Sequence, residues 1–235
     1  ERAITPKTKA ILINSPNNPT GVVYSEETLK GLSSLLMTHR KAGKKIYIIS
    51  DDAYKKLVYD NIALPNIFRI YDLVISVTSH SKDLALPGER IGYIAMSPEI
   101  KDADMLVSAL MFASRALGFV NAPALFQRVV GRFQNNSVDI MDYQKKRDIL
   151  YNTLVEAGFD VVKPAGAFYI FPRSPIADEL EFVKILQEKE KILAVPGRGF
   201  GKEGYFRIAY CVPVNKITGA LDGFRRIAKQ YIKKG

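Results

Sequence analysis

Cysteine is nearly absent from this 235-residue chain: Cys211 stands alone, so no intrachain disulfide can form. With only His39 and His80 beside it, a zinc site built from Cys and His is excluded too. The composition suits a reducing, cytoplasmic setting. Long apolar runs are also missing. The longest stretch without a charged side chain, Ala10 to Ser25, falls short of the ~18 apolar residues that a spanning helix needs and is broken by Asn and Pro. No membrane partner is expected. The chain opens Glu1-Arg2 without an initiator Met, and no basic, then apolar, then small-residue leader follows. A cut or truncated N-terminus is therefore expected.

What is present is ordinary globular sequence, 47% hydrophobic and 25% charged, which excludes disorder and low complexity. The length allows one to two domains with a substantial core. Lys plus Arg exceed Asp plus Glu, 34 against 24, for a net charge of +10, a balance that raises the question of nucleic acid. The distribution argues against it. Most cations alternate with acids, as in Glu188-Lys189-Glu190-Lys191, and only Arg225, Arg226, Lys229, Lys233 and Lys234 form an unopposed cluster. A solvated helix face is expected there rather than a polyanion site.

Short apolar runs at Ile11 to Asn14, Ile46 to Ser50, Leu73 to Thr78 and Ile91 to Met96 read as buried parallel strands. Between the first two, Ser25 is a good N-cap, Glu26 and Glu27 suit the positive end of a helix dipole, and Leu29, Leu32, Leu35 and Leu36 form one face. Gly43 ends that helix. The rhythm predicts a layered α/β sheet with right-handed crossovers. After Gly118 a helix carries Ala122, Leu125, Phe126, Val129, Val130 and Phe133, and a second carries Tyr143, Ile149, Leu150 and Leu154. Short strands follow around Val161, Phe168 to Phe171, Ile192 to Val195 and Tyr205 to Tyr210, with a helix between the middle pair. A last helix aligns Ile217, Ala220, Leu221, Phe224, Ile227, Ala228 and Tyr231. A larger α/β domain over 1–140 and a smaller α+β domain over 141–235 are expected, with the boundary near 135–145.

Three segments stand at the ends of the strands. SPNNPTG, Ser15 to Gly21, presents Asn17 or Asn18 at a strand's carboxyl end, where open α/β sheets place ligands; the plainer reading is a Pro-rich turn. Asp51-Asp52-Ala53-Tyr54 puts a carboxylate at the next strand end, either paired with a cation or capping a following helix. SHSKDLALPGERIGY, Ser79 to Tyr93, sets Lys82 after two hydroxyl residues, with Arg90 eight residues on. A partly desolvated lysine can act as an amine nucleophile and form Schiff bases with carbonyl compounds. Ser79, Ser81 and Arg90 suit a phosphate. A lone lysine, by contrast, is ordinarily solvated surface.

Taken in order, NNPTG, DDAY, SHSK with Arg90, and YFRIAY with Arg207 resemble the class I/II aminotransferases, fold-type-I enzymes that use pyridoxal 5′-phosphate (PLP). GFVNAPALFQ, the PAGAFYIFP stretch and VPGRGFG also look like that family's linker helix and small domain. The resemblance covers essentially the whole chain. It implies a mostly parallel, partial large domain followed by an α+β small domain. It makes Lys82 the lysine that holds PLP, Asp51 the partner of the protonated pyridine nitrogen, and Asn18 and Tyr54 hydrogen-bonding neighbours of the ring's O3′. Ser79, Ser81 and Arg90 would hold the cofactor phosphate, and Arg207, with Asn18, the substrate's α-carboxylate. Lys82, once released from PLP, would shuttle the proton from Cα to C4′.

The implied reaction transfers an amino group from an L-amino acid to a 2-oxo acid, with aspartate the default donor, in a protein that is a homodimer at full length. A PLP-dependent C–S lyase shares the lysine and the aspartate, although Tyr54 fits aminotransferases better. An aminotransferase-like effector domain of a transcription regulator is the non-enzymatic alternative. In the family the large domain begins well before NNPTG and supplies part of the cofactor pocket, so the chain resembles the C-terminal portion and is expected to be inactive by itself.

Overall fold

A computed structural model describes residues 1–232; Lys233 and Lys234 of the basic cluster lie outside the described residues. The chain divides into two compact units, one of residues 1–15, 24–56 and 63–138, the other of 16–23, 57–62 and 139–235. The second unit also takes two short segments from the first half of the chain.

In the first unit β1 (Ala10–Asn14), β2 (Tyr47–Asp51), β3 (Val74–Ser79) and β4 (Gly92–Met96) form a sheet in the order β1-β2-β3-β4. β1, β2 and β3 are parallel, and β4 runs antiparallel to β3. The sequence reading had β4 buried and parallel. It is neither: its residues are largely exposed and it runs antiparallel to β3, the connection over 80–91 holding only short turns and no crossover helix. α1 (Glu26–Lys41) begins where expected, Ser25 accepting from the Thr28 amide, and Gly43 follows it with φ of 83°, the left-handed turn that glycine allows after a helix. Leu29 and Leu36 of α1 join Ile46, Ile48, Tyr71, Leu73 and Val74 in the core. Two polar ties close that layer, Ser33 Oγ to the Ile70 carbonyl and Tyr71 Oη to the Ile46 carbonyl, each 2.7 Å.

α2 (His80–Asp83) is a single turn at the end of β3. α3 (Ala103–Ala116), absent from the sequence reading, precedes α4 (Ala124–Arg132). In the second unit α5 (Ile140–Glu156), α6 (Glu179–Glu190) and α7 (Val214–Tyr231) accompany a three-stranded sheet, order β5-β7-β6, of β5 (Tyr169–Ile170), β6 (Val195–Pro196) and β7 (Phe206–Ala209). All its pairings are antiparallel. No strand forms at Val161. The core is aromatic, with Phe159 in contact with Phe182, Phe206 and Phe224 at ring separations of 6.1–6.3 Å. Such edge and tilted pairs add to the area they bury.

The basic cluster near the C-terminus is not unopposed. Arg225 pairs with Asp222 at 2.8 Å and Arg226 with Glu190 at 2.6 Å. Among the described residues no helix is long and apolar enough to cross a membrane.

Candidate active site

Three parallel strands end together in the first unit, Asn14 of β1 in register with Asp51 of β2, and Asp51 with Val77 of β3. The Asn14 side-chain amide donates to the Asp51 carbonyl at 3.0 Å. Chemistry at the carboxyl ends of parallel strands is the common arrangement in open α/β sheets. Asp51 and Asp52 point to opposite faces because side chains alternate along a strand. Asp52 shares its face with Ser50 and Ser76 and accepts a hydrogen bond from each hydroxyl at 2.6 Å. Asp51 is left on the face of Tyr47 and Ile49. Its Oδ1 accepts from the Ala53 amide at 3.2 Å. The residues after it form turns rather than a helix, so the helix-capping role does not apply.

β3 leads straight into Ser79, His80, Ser81 and Lys82. Ser79 caps α2: its Oγ accepts from the Ser81 amide at 3.2 Å and donates to Ser81 Oγ at 2.8 Å. His80 and Asp83 are buried, with His80 Nδ1 3.3 Å from the Asp83 carboxylate. Lys56 Nζ stands 3.4 Å from the same carboxylate and also donates to the Gln134 and Asn136 carbonyls at 2.5 and 2.9 Å. This knot fixes the turn that carries Lys82, and the sequence reading missed it. His80 and Lys56 are unremarkable singly, and only the fold brings them to Asp83. Lys82 is half-buried, its Nζ 5.9 Å from the centre of the Tyr54 ring. Arg90 is exposed, adopts φ of 50°, and spends one N–H on the Pro87 carbonyl at 2.8 Å.

The donors and acceptors of this unit fit PLP. Arg90 keeps four N–H donors and Ser81 its hydroxyl hydrogen for a phosphate. Lys82 supplies an amine for an aldehyde. Asp51 retains Oδ2 for a protonated ring nitrogen. Nearby, a cavity of about 570 Å3 is lined by His80, Tyr93, Met111, Phe119 and Gln127, and it does not reach Lys82 or Asp51.

In the second unit Arg207 lies on β7 between apolar neighbours. Its guanidinium carbon sits 4.3 Å from the Tyr169 ring centre and 4.5 Å from that of Phe200. One terminal nitrogen donates to Asn18 Oδ1 at 2.8 Å, and the Asn18–Pro19 peptide is cis. Its Nε is buried without a hydrogen-bond partner. Among the described protein groups its neighbours are thus an amide oxygen and two rings.

Elsewhere in this unit Arg147 is fully buried against the Tyr59 ring, 4.9 Å from its centre, and donates to Asp60 at 2.8 and 3.0 Å and to the Pro164 carbonyl at 2.6 Å. The Arg147 hydrogen bond holds the Asp60 carboxyl below its ordinary range, against a smaller opposing effect of burial. Burial pushes the Tyr59 and Tyr210 hydroxyls up. They lie 3.5 Å apart and both donate to the Ala167 carbonyl. The cluster is a structural tie made of groups far apart in sequence.

The family model described as aminotransferase class I and II matches residues 1–224. Aromatic-amino-acid aminotransferase 2 of Thermococcus litoralis is 32% identical over 98% of this chain and 60% of its own length. The aspartate aminotransferase of Thermotoga maritima is 33% identical over 94% of this chain and 56% of its own. Among solved structures, an amino transferase from Eubacterium rectale superposes with a TM-score of 0.93 at 43% identity, covering 99% of this chain and 58% of that one. The chain thus spans about 60% of the length of the relatives it matches.

Proposed function

The chain belongs to the class I and II aminotransferases, and on that premise we propose that the protein moves an amino group from an L-amino acid to a 2-oxo acid with pyridoxal 5′-phosphate as cofactor. The observation that carries the reading is the convergence of Asp51, Ser79, Ser81 and Lys82 on the shared end of β2 and β3. When bound, the cofactor supplies an electron sink for the negative charge that develops at the substrate's α-carbon.

The residues divide the remaining work. Lys82 Nζ holds the cofactor and, once free, takes the proton from the substrate's Cα. Asp51 keeps the ring nitrogen protonated by charge pairing. Tyr54 and Asn18 serve the ring hydroxyl oxygen. Ser81 and Arg90 donate to the phosphate, Arg90 as a guanidinium fork, and Ser79, whose hydroxyl hydrogen goes to Ser81 Oγ, orients Ser81 there. Arg207 takes the α-carboxylate, which would supply the partner its buried Nε lacks.

L-Aspartate is the proposed donor, supported by relatives named aspartate aminotransferase. The full-length protein is proposed to be a homodimer in the cytoplasm, a setting compatible with the free, exposed Cys211. The 235-residue chain by itself is proposed to turn over poorly. A screen of amino donors against 2-oxoglutarate with the full-length protein tests the reading. Glutamate formation, greatest with aspartate, is expected. Absence of transamination with every donor would overturn it, and preference for an aromatic donor would overturn the substrate assignment alone.

A further inference from the structure

The surroundings of Arg207 go beyond its proposed role as a carboxylate clamp, and an inference about them rests on that role. β7 is the central strand of its sheet, so both flanking strands can act on Arg207. On one side Tyr169 of β5 is in register with Ala209, two residues along from Arg207 and on the same face. That diagonal is within reach of an aromatic side chain. On the other side Val195 of β6 is in register with Arg207, and the chain then turns tightly through Gly197–Phe200 to bring the Phe200 ring back over the guanidinium.

The turn that carries Phe200 is itself anchored. The buried Glu179 carboxylate accepts from Arg198 Nε at 2.7 Å, the Arg198 amide at 3.3 Å and the Gly204 amide at 3.0 Å. At Gly197 a Cβ would stand 2.2 Å from the Lys202 carbonyl oxygen, so the turn can close this tightly only with glycine.

We propose that Tyr169 and Phe200 are positioning residues that hold the Arg207 guanidinium flat, with its hydrogen-bonding edge turned to the incoming substrate carboxylate. Two rings whose centres lie 4.3 and 4.5 Å from the guanidinium carbon restrict its rotation out of plane and stabilise the positive charge through their π-faces. Neither carries a charged acceptor that would compete with a substrate carboxylate for the N–H groups. A protein carboxylate in the same place would occupy the fork and would have to be displaced by substrate. Asn18 Oδ1 takes only one N–H. The others remain in a fixed plane for a bidentate pair, the geometry in which arginine differs most from lysine.

The test reads the Arg207 Nε–Hε resonance of the full-length protein by nitrogen-15 NMR, identified by its loss in Arg207→Lys, during titration with succinate, a carboxylate that cannot react. In the wild type the proton should be shifted upfield by the two rings and should move as succinate binds. Phe200→Leu and Tyr169→Leu should each reduce the ring shift and weaken succinate binding on the order of tenfold, with Phe200→Tyr restoring both. If both leucine variants fold and bind succinate like the wild type, the inference is wrong while the clamp survives. If Arg207→Lys binds unchanged, or the wild-type resonance ignores succinate, the reading of Arg207 itself fails. Should Tyr169→Leu not fold, the half-buried Phe200 and its Leu and Tyr variants decide the matter.

Discussion

Asp51 shows what a single residue's neighbours can and cannot say. In sequence it is one of two adjacent aspartates, and either could be a cap or a counter-ion. Strand alternation separates them: Asp52 is absorbed by Ser50 and Ser76, while Asp51 accepts one amide and keeps an oxygen for a cationic ring nitrogen. Asp51→Ala in the full-length protein is therefore expected to slow transamination by several orders of magnitude with the fold intact. Turnover near that of the wild type, measured with the same cofactor occupancy, would reduce Asp51 to a turn residue. Lys82, Ser79 and Ser81 were legible because their motif follows a strand directly, so chain order gave their place. Tyr169 and Phe200 were not, because their positions over Arg207 depend on which strands flank β7, and that order is not written in any local pattern. The His80, Asp83 and Lys56 knot was hidden for the same reason.

At the scale of elements, helices with a one-sided apolar stripe were read correctly, whether a side chain caps them, as Ser25 caps α1, or none does, as at α7. α3 was missed because most of its residues are apolar, so that its polar side, Asp104, Ser108, Ser114 and Arg115, is narrow. Met105, Met111 and Phe112 are more than half exposed, and its N-cap Asp102 makes no side-chain capping bond, so no cap marks its start. The direction of β4 was misjudged because strand composition does not encode polarity, and the strand expected at Val161 had apolar residues but found no partner. The turn between β6 and β7 gives a prediction of its own. Hydrogen bonds from Arg198 and the Gly204 amide lower the Glu179 pKa to about 2 from its ordinary 4.5. A carboxylate with a depressed folded-state pKa stabilises the fold above its unfolded value and loses that contribution as pH falls through the folded value. Glu179→Gln should thus be less stable than the wild type at pH 7, with the gap closing between about pH 4.5 and 2. Urea unfolding at stepped pH measures it, and a gap that stays constant with pH would contradict the account.

For the whole molecule, family and fold class were legible from four ordered motifs, while exposure was not. The edge strands β1 and β4 leave Leu12 69%, Tyr93 41% and Ile94 45% exposed, and Phe112 and Phe119 are each 74% exposed. Open sheet edges and clustered apolar surface favour association, so the purified 235-residue chain is expected to self-associate and to bind PLP weakly. Light scattering during a PLP titration checks this; a monodisperse sample with tight, stoichiometric binding would contradict it. The central claim is that this chain carries the cofactor's lysine, and it can be tested whatever the rate of turnover. The protein, full-length where available, is incubated with PLP, reduced with borohydride, digested and mapped by mass spectrometry. The account predicts the pyridoxyl group on Lys82, with that label lost in Lys82→Ala. A label concentrated on another lysine, or spread evenly over surface lysines, would contradict it.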